Sequence, residues 1–189
     1  VTALLAFLNL AAYPFALYAW RDHPRALDNV LPFHLCDLAA IVAGFALCTR
    51  TPILLTLTYF WGIAATTQAL LTPAITIGPP SLPFVHFFAQ HFAIVSAALF
   101  IPLVLKWRPA APWWKSPLQV FGISIAYQGV ALLINTVLKT NFAFASRPPE
   151  NPSLIDHLGA WPLYLFAMQV LALTLYHYHH QIVRNNLKV

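Results

Sequence analysis

Six stretches of largely apolar residues follow one another along this chain: Val1–Trp20, Leu31–Cys48, Pro52–Leu71, Leu82–Leu105, Leu118–Leu138 and Leu158–Val183. Each is close to the ~20 residues that a helix needs to cross a bilayer. Hydrocarbon offers no water to a backbone amide, so every stretch is predicted to form a helix that satisfies its own N–H and C=O groups. The predicted fold class is all-α, a polytopic membrane helix bundle of about six transmembrane helices, with residues 1–189 as a single integral membrane domain. Charge supports this. Only 8% of the residues are charged, against roughly 25% in a soluble domain, and so few could not cover a water-facing surface.

Breakers separate the windows. Asp22–Pro24 and Pro32 bracket the first loop and Thr49–Pro52 makes a tight second. Thr72–Pro83, with Gly78-Pro79-Pro80, forms the third, Arg108–Pro117 the fourth, and Lys139–Asp156, with Pro148-Pro149 and Pro152, the fifth. Trp107, Trp113, Trp114 and Trp161 fall at span ends, where indole prefers the interface. The first window lacks a basic leader and a small-residue cleavage site, so it reads as a span rather than a signal peptide.

Lysine and arginine set the predicted orientation. Arg50, Lys106, Arg108, Lys115, Arg184 and Lys188 fall on the face that six spans give to both termini, with no acidic residue among them. The other face carries Arg21, Arg25, Lys139 and Arg147, mixed with Asp22, Asp28, Glu150 and Asp156. Both termini are therefore expected in the cytoplasm. A net charge of +5, scattered over loops, is no basic stripe for nucleic acid. It suits anionic headgroups instead.

Ionisable side chains inside spans are costly unless paired, and so mark function. The spans hold His34, Cys36, Asp37, His86 and His91, with Gln68, Gln90, Gln128 and Asn135 as uncharged company. Even-numbered helices run inward from the outer face and odd-numbered ones run outward. By that rule the site candidates His34, Cys36, Asp37, Gln68, His86, His91 and Asn135 all fall in the non-cytoplasmic half. One polar pocket there is predicted.

Spacing refines the pocket. At ~100° per residue, His34 and Asp37 share a helix face, so a carboxylate–imidazole bond between them is expected. Cys36 points about 160° away from His34 by the same geometry. Its base must come from another helix, and His91, ~13 Å into its span against ~8 Å for Cys36, is the better candidate. His86 lies shallower. Taken singly, each of these is a packing group and Cys36 a small hydrophobe; a shared depth argues for a site. Cys48 has no such company. The two cysteines, ~18 Å apart on one helix at ~1.5 Å per residue, cannot form a disulfide.

A metal site built from His34, Asp37, His86 and His91 is a competing idea, but no HxxxH or CxxC pair lies within one helix, and neither metal nor cofactor is expected. The tail Tyr176-His177-Tyr178-His179-His180 reads as an interfacial, snorkelling belt.

The stretch Leu31-Pro32-Phe33-His34-Leu35-Cys36-Asp37 resembles the signature of YwaF-type integral membrane proteins, relatives of the acyltransferase transmembrane protein 164. The resemblance runs in order through Tyr59-Phe60-Trp61-Gly62, Gln68-Ala69-Leu70-Leu71-Thr72-Pro73 and His86-Phe87-Phe88 with His91. It continues through Asn135, Thr140-Asn141-Phe142, Pro148-Pro149 and Gly159-Ala160-Trp161-Pro162, and so spans nearly the whole chain. It departs at Phe142, where the pattern implies a hydroxyl-bearing aromatic. The resemblance implies a cysteine acyltransferase that remodels phospholipids, with Cys36 as nucleophile, His91 as base and no cofactor. It also implies phospholipid and lysophospholipid partners and a bacterial cytoplasmic membrane.

In such a reaction Cys36 attacks an acyl ester, and His91 protonates the departing alcohol. A lysophospholipid hydroxyl or water then resolves the thioester. Gln68, Asn135 and His86 are candidate oxyanion donors, with His34 and Asp37 in support. The alternative is a non-enzymatic headgroup binder or transporter, which broken helices at the site would favour.

Overall fold

The structure is a computed structural model that describes residues 1–23 and 27–186. Pro24 and Arg25 of the first loop, and Lys188 near the end, lie outside the described residues. Regular structure among the described residues is helical throughout.

Helix α1 covers Thr2–Ala19 in two pieces, Thr2–Leu10 and Ala12–Ala19. The break at Ala11 follows from Pro14, which has no N–H to give the carbonyl of Leu10. Helix α2 is Leu35–Thr49, starting four residues after the apolar window does. Pro32 disfavours helical geometry at Leu31, and His34 is extended, with φ −69° and ψ 150°, as the helix N-cap. A single short turn, Leu27–Val30, precedes it. Fifteen residues rise only ~22 Å, less than the ~30 Å of hydrocarbon. With the turn before it counted, Leu27–Thr49 has the length and composition of a span.

Arg50, in the left-handed region at φ 57°, turns the chain into α3, Pro52–Leu71, whose bounds coincide with the apolar window. Its middle, Trp61–Thr66, is a π-helical segment. The hydroxyls of Thr66 and Thr67 donate to the carbonyls of Trp61 and Gly62, five residues back. Gly62 is required there, because a Cβ would overlap Ala98 of the next helix. Helix α4, Leu82–Leu103, is capped by Ser81, whose hydroxyl accepts from the N–H of Phe84. Helix α5 is Lys115–Leu138.

Helix α6 is Leu163–Asn186, not the expected Leu158–Val183. Gly159 at φ 101° and the imide of Pro162 delay its start. α1 to α5, counting the turn before α2, are long and apolar enough to cross a membrane. The sixth matches them in length, but its far turns carry His177, His179, His180 and Arg184.

α1 to α4 pack as one group, while α5 and α6 pair with each other and dock on α3. Alanines make the first group close: Ala43 and Ala46 of α2 share a buried cluster with Ala6, Ala97 and Ile101. Trp61 of the π segment donates to the Ser124 hydroxyl at 3.0 Å, and Ser124 meets the Tyr176 hydroxyl at 3.2 Å. That network ties α3 to α5 and α6. Loop 5 is tied to loop 3 by Asn151, whose amide donates to the carbonyls of Pro73 and Ile75.

Candidate functional site

The site candidates of α2 occupy its first turn. His34 is the N-cap, and Cys36 and Asp37 are the second and third helical residues. The Asp37 carboxylate accepts from the backbone N–H of His34 at 3.2 Å. This caps the helix and puts a negative charge at its positive end. The other carboxylate oxygen accepts from the Gln90 amide of α4 at 2.9 Å. The expected carboxylate–imidazole bond within α2 is replaced by this backbone bond, because His34 lies outside the helix and the i, i+3 rule does not reach it. The His34 ring instead meets Phe142 edge-on at 5.3 Å and Phe144 at 5.7 Å.

On α4, His86, Gln90 and His91 are all buried. The Nε2 atom of His86 bonds the carbonyl of Ala12 at 3.1 Å, which requires its proton on Nε2. His91 has the opposite tautomer. Its Nδ1 lies 2.6 Å from the carbonyl of Phe87 and must donate, so the neutral ring keeps its lone pair on Nε2. His91 stacks on the Phe87 ring at 4.1 Å.

Cys36 is half-buried and packs against the main core cluster. Among the described residues no hydrogen bond joins Cys36 to His91. Tyr127 of α5 is half-buried, and its hydroxyl donates to the carbonyl of Phe33 at 2.8 Å. Asp37 is thus joined to Gln90 of the helix that carries His86 and His91, and Tyr127 holds the approach to Cys36; neither Gln90 nor Tyr127 was a candidate. Gln90 was visible as a polar residue inside a span; Tyr127 gave no signal, since its partner is a backbone carbonyl of the approach to α2.

Gln68 and Asn135 stand apart. Gln68 is in the last turns of α3, and its side chain makes no hydrogen bond among the described residues. Asn135 is buried and fully engaged. Its amide donates to the carbonyl of Phe142 at 3.0 Å. Its oxygen accepts from the Phe142 N–H at 2.7 Å and the Thr140 hydroxyl at 2.9 Å. Since Phe142 packs on Phe33 and His34, Asn135 buttresses the site through loop 5. Cys48 is exposed at the far end of α2. The aromatic and histidine tail is mixed: Tyr178 is exposed, whereas Tyr176 and His180 are buried in the bundle. Among the described residues, no three His, Cys, Asp or Glu side chains gather closely enough to hold a metal ion.

A sequence model of the TMEM164 family matches residues 1–178. The chain is also 33% identical over 127 residues to an uncharacterized protein of Treponema pallidum (strain Nichols); the match covers 66% of this chain and 51% of that protein. The chain thus spans about half the length of that relative. No solved structure matches it.

Proposed function

The chain belongs to the TMEM164 family, and from that premise we propose that it is a membrane-embedded, cysteine-dependent acyltransferase or lipid acyl hydrolase, with Cys36 as nucleophile and His91 as base. The observation that supports this best is the setting of Cys36, second residue in the first turn of α2. The amides of Leu35 and Cys36, in the first turn, have no acceptor inside the helix and are suited to an oxyanion.

The reaction runs in two halves. His91 Nε2 takes the thiol proton, and Cys36 Sγ bonds to the carbonyl carbon of a phospholipid acyl ester. Collapse of the tetrahedral adduct breaks the ester C–O bond. Imidazolium then protonates the departing alkoxide, which leaves as a lysophospholipid. In the second half the hydroxyl of another lysophospholipid, or water, attacks the thioester as His91 takes its proton, and Cys36 departs and regains a proton from His91. Charges balance at each step, and no cofactor takes part.

Purified protein in phosphatidylcholine vesicles with a labelled lysophospholipid acceptor tests this. Labelled diacyl product, or free fatty acid released from the phosphatidylcholine when water resolves the thioester, should form with wild-type and Cys48→Ser protein. Cys36→Ser should fall to background. A folded Cys36→Ser protein with wild-type turnover would exclude the proposal.

A further inference from the structure

Between α2 and α4, the two helices that carry the proposed nucleophile and base, one side-chain hydrogen bond is made among the described residues: Gln90 Nε2 to Asp37 Oδ1, at 2.9 Å. Asp37 is the chain neighbour of Cys36, and Gln90 is the chain neighbour of His91. We infer that Gln90 and Asp37 are the positioning pair of this site: their bond sets the register of α4 against α2, and so brings His91 level with Cys36. This inference rests on the Cys–His reading above.

The packing around the pair explains why a directional bond is needed. The buried surfaces where α2 and α4 meet are rich in alanine, with Ala43 and Ala46 clustered against Ala97 and Ile101, and Ala39 and Ala40 against Ile94. Small side chains let two membrane helices approach closely. They do little to oppose sliding along the axis, where each residue adds ~1.5 Å. Against α1, α4 is held at two heights, by His86 on the carbonyl of Ala12 and by Asn9 donating to the carbonyl of Ala93. Against α2, Gln90 makes its only side-chain hydrogen bond among the described residues. Asp37 is itself fixed, because its second oxygen caps the helix at the N–H of His34. The carboxylate thus joins the start of the nucleophile's helix to the middle of the base's helix.

A misplacement of about 1 Å between reacting groups costs on the order of 100-fold in rate. Gln90→Leu, which keeps the bulk and removes the donor, should therefore lower kcat by about 10- to 100-fold, with KM for the lysophospholipid within about twofold. Alkylation of Cys36 by a small maleimide, in a Cys48→Ser background, should slow and lose its dependence on an intact His91. Asp37→Asn keeps one oxygen for Gln90 but gives up the acceptor for the His34 N–H, so a positioning role predicts a measurable kcat, reduced by less than in Asp37→Leu. Asp37→Leu should match Gln90→Leu, and the double variant should be no worse than either, since the pair acts as one unit.

Gln90→Leu protein that is monodisperse and turns over at the wild-type rate, while Cys36→Ser is inactive, would overturn the positioning role and leave the Cys–His reading standing. If Gln90→Leu does not fold, Asp37→Asn decides. Folded but inactive Asp37→Asn would show that the charge, not the register, matters. Activity in Cys36→Ser would instead remove the reading on which the inference rests.

Discussion

The Nδ1 atom of His91 stands 2.6 Å from the carbonyl oxygen of Phe87, one helical turn earlier. The contact fixes the ring's tautomer and leaves Nε2 as the nitrogen that can take a proton. It also explains how an imidazole is held in hydrocarbon with no charged partner of its own.

His91→Ala should therefore lower acyl transfer by about 100- to 10,000-fold, the range for losing a general acid–base group. Combining it with Cys36→Ser should add little, because the two act as one unit. The vesicle transfer assay checks this. A His91→Ala protein within about threefold of wild type would remove the histidine from the reaction.

Asn135 gives a stability prediction. Its carboxamide serves the Phe142 N–H, the Phe142 carbonyl and the Thr140 hydroxyl. Asn135→Ala leaves these groups unpaired at about 1–3 kcal/mol for each buried one. Thermal unfolding in detergent should show a clearly lower Tm, and a smaller drop for Thr140→Val, which removes one bond. An unchanged Tm in Asn135→Ala would mean that the loop does not depend on this residue.

Tyr127→Phe removes one hydroxyl, and with it the only side-chain bond to the carbonyl of Phe33 among the described residues. That carbonyl belongs to the non-helical approach to α2. A cost of about 1–3 kcal/mol is expected, together with slower alkylation of Cys36 as the first turn loosens. Unaltered reactivity and Tm would show that the approach to α2 is held by packing alone.

Much of this fold was legible from apolar length. Pro52–Leu71 was read to the residue, because Pro52 and Thr72-Pro73 punctuate both ends. The start of α2 was not, since hydropathy records whether a residue prefers lipid and not whether it is helical: Leu31 to His34 are largely apolar and still non-helical. The π segment was hidden for the same reason, its threonines being unremarkable in a span. For the site, counting depth along alternating helices singled out His34, Asp37, His86 and His91 as candidates. Partners did not follow. Asp37 finds Gln90 and Asn135 finds loop 5 because of how the helices rotate and dock, and rotation about the axis is set by packing that one strand of sequence does not display.

Topology is open to a direct check. Lysine and arginine asymmetry predicts both termini in the cytoplasm and loop 5 outside. In a Cys36→Ser, Cys48→Ser background, a cysteine introduced at Glu150 should react with a membrane-impermeant maleimide in intact cells. One introduced at Lys115 should react only after permeabilisation. The reverse pattern would invert the protein and place the site in the other leaflet.

The central claim is that an acyl group is carried on Cys36, and a trapped intermediate tests it most directly. Protein in vesicles of alkyne-tagged phosphatidylcholine, without added acceptor, should be quenched in acid, digested and analysed by mass spectrometry. The account predicts a tagged acyl group on the peptide bearing Cys36, released by neutral hydroxylamine, present in Cys48→Ser and absent in Cys36→Ser. Continued lipid turnover with no adduct on Cys36, or with the adduct on another residue, would contradict it.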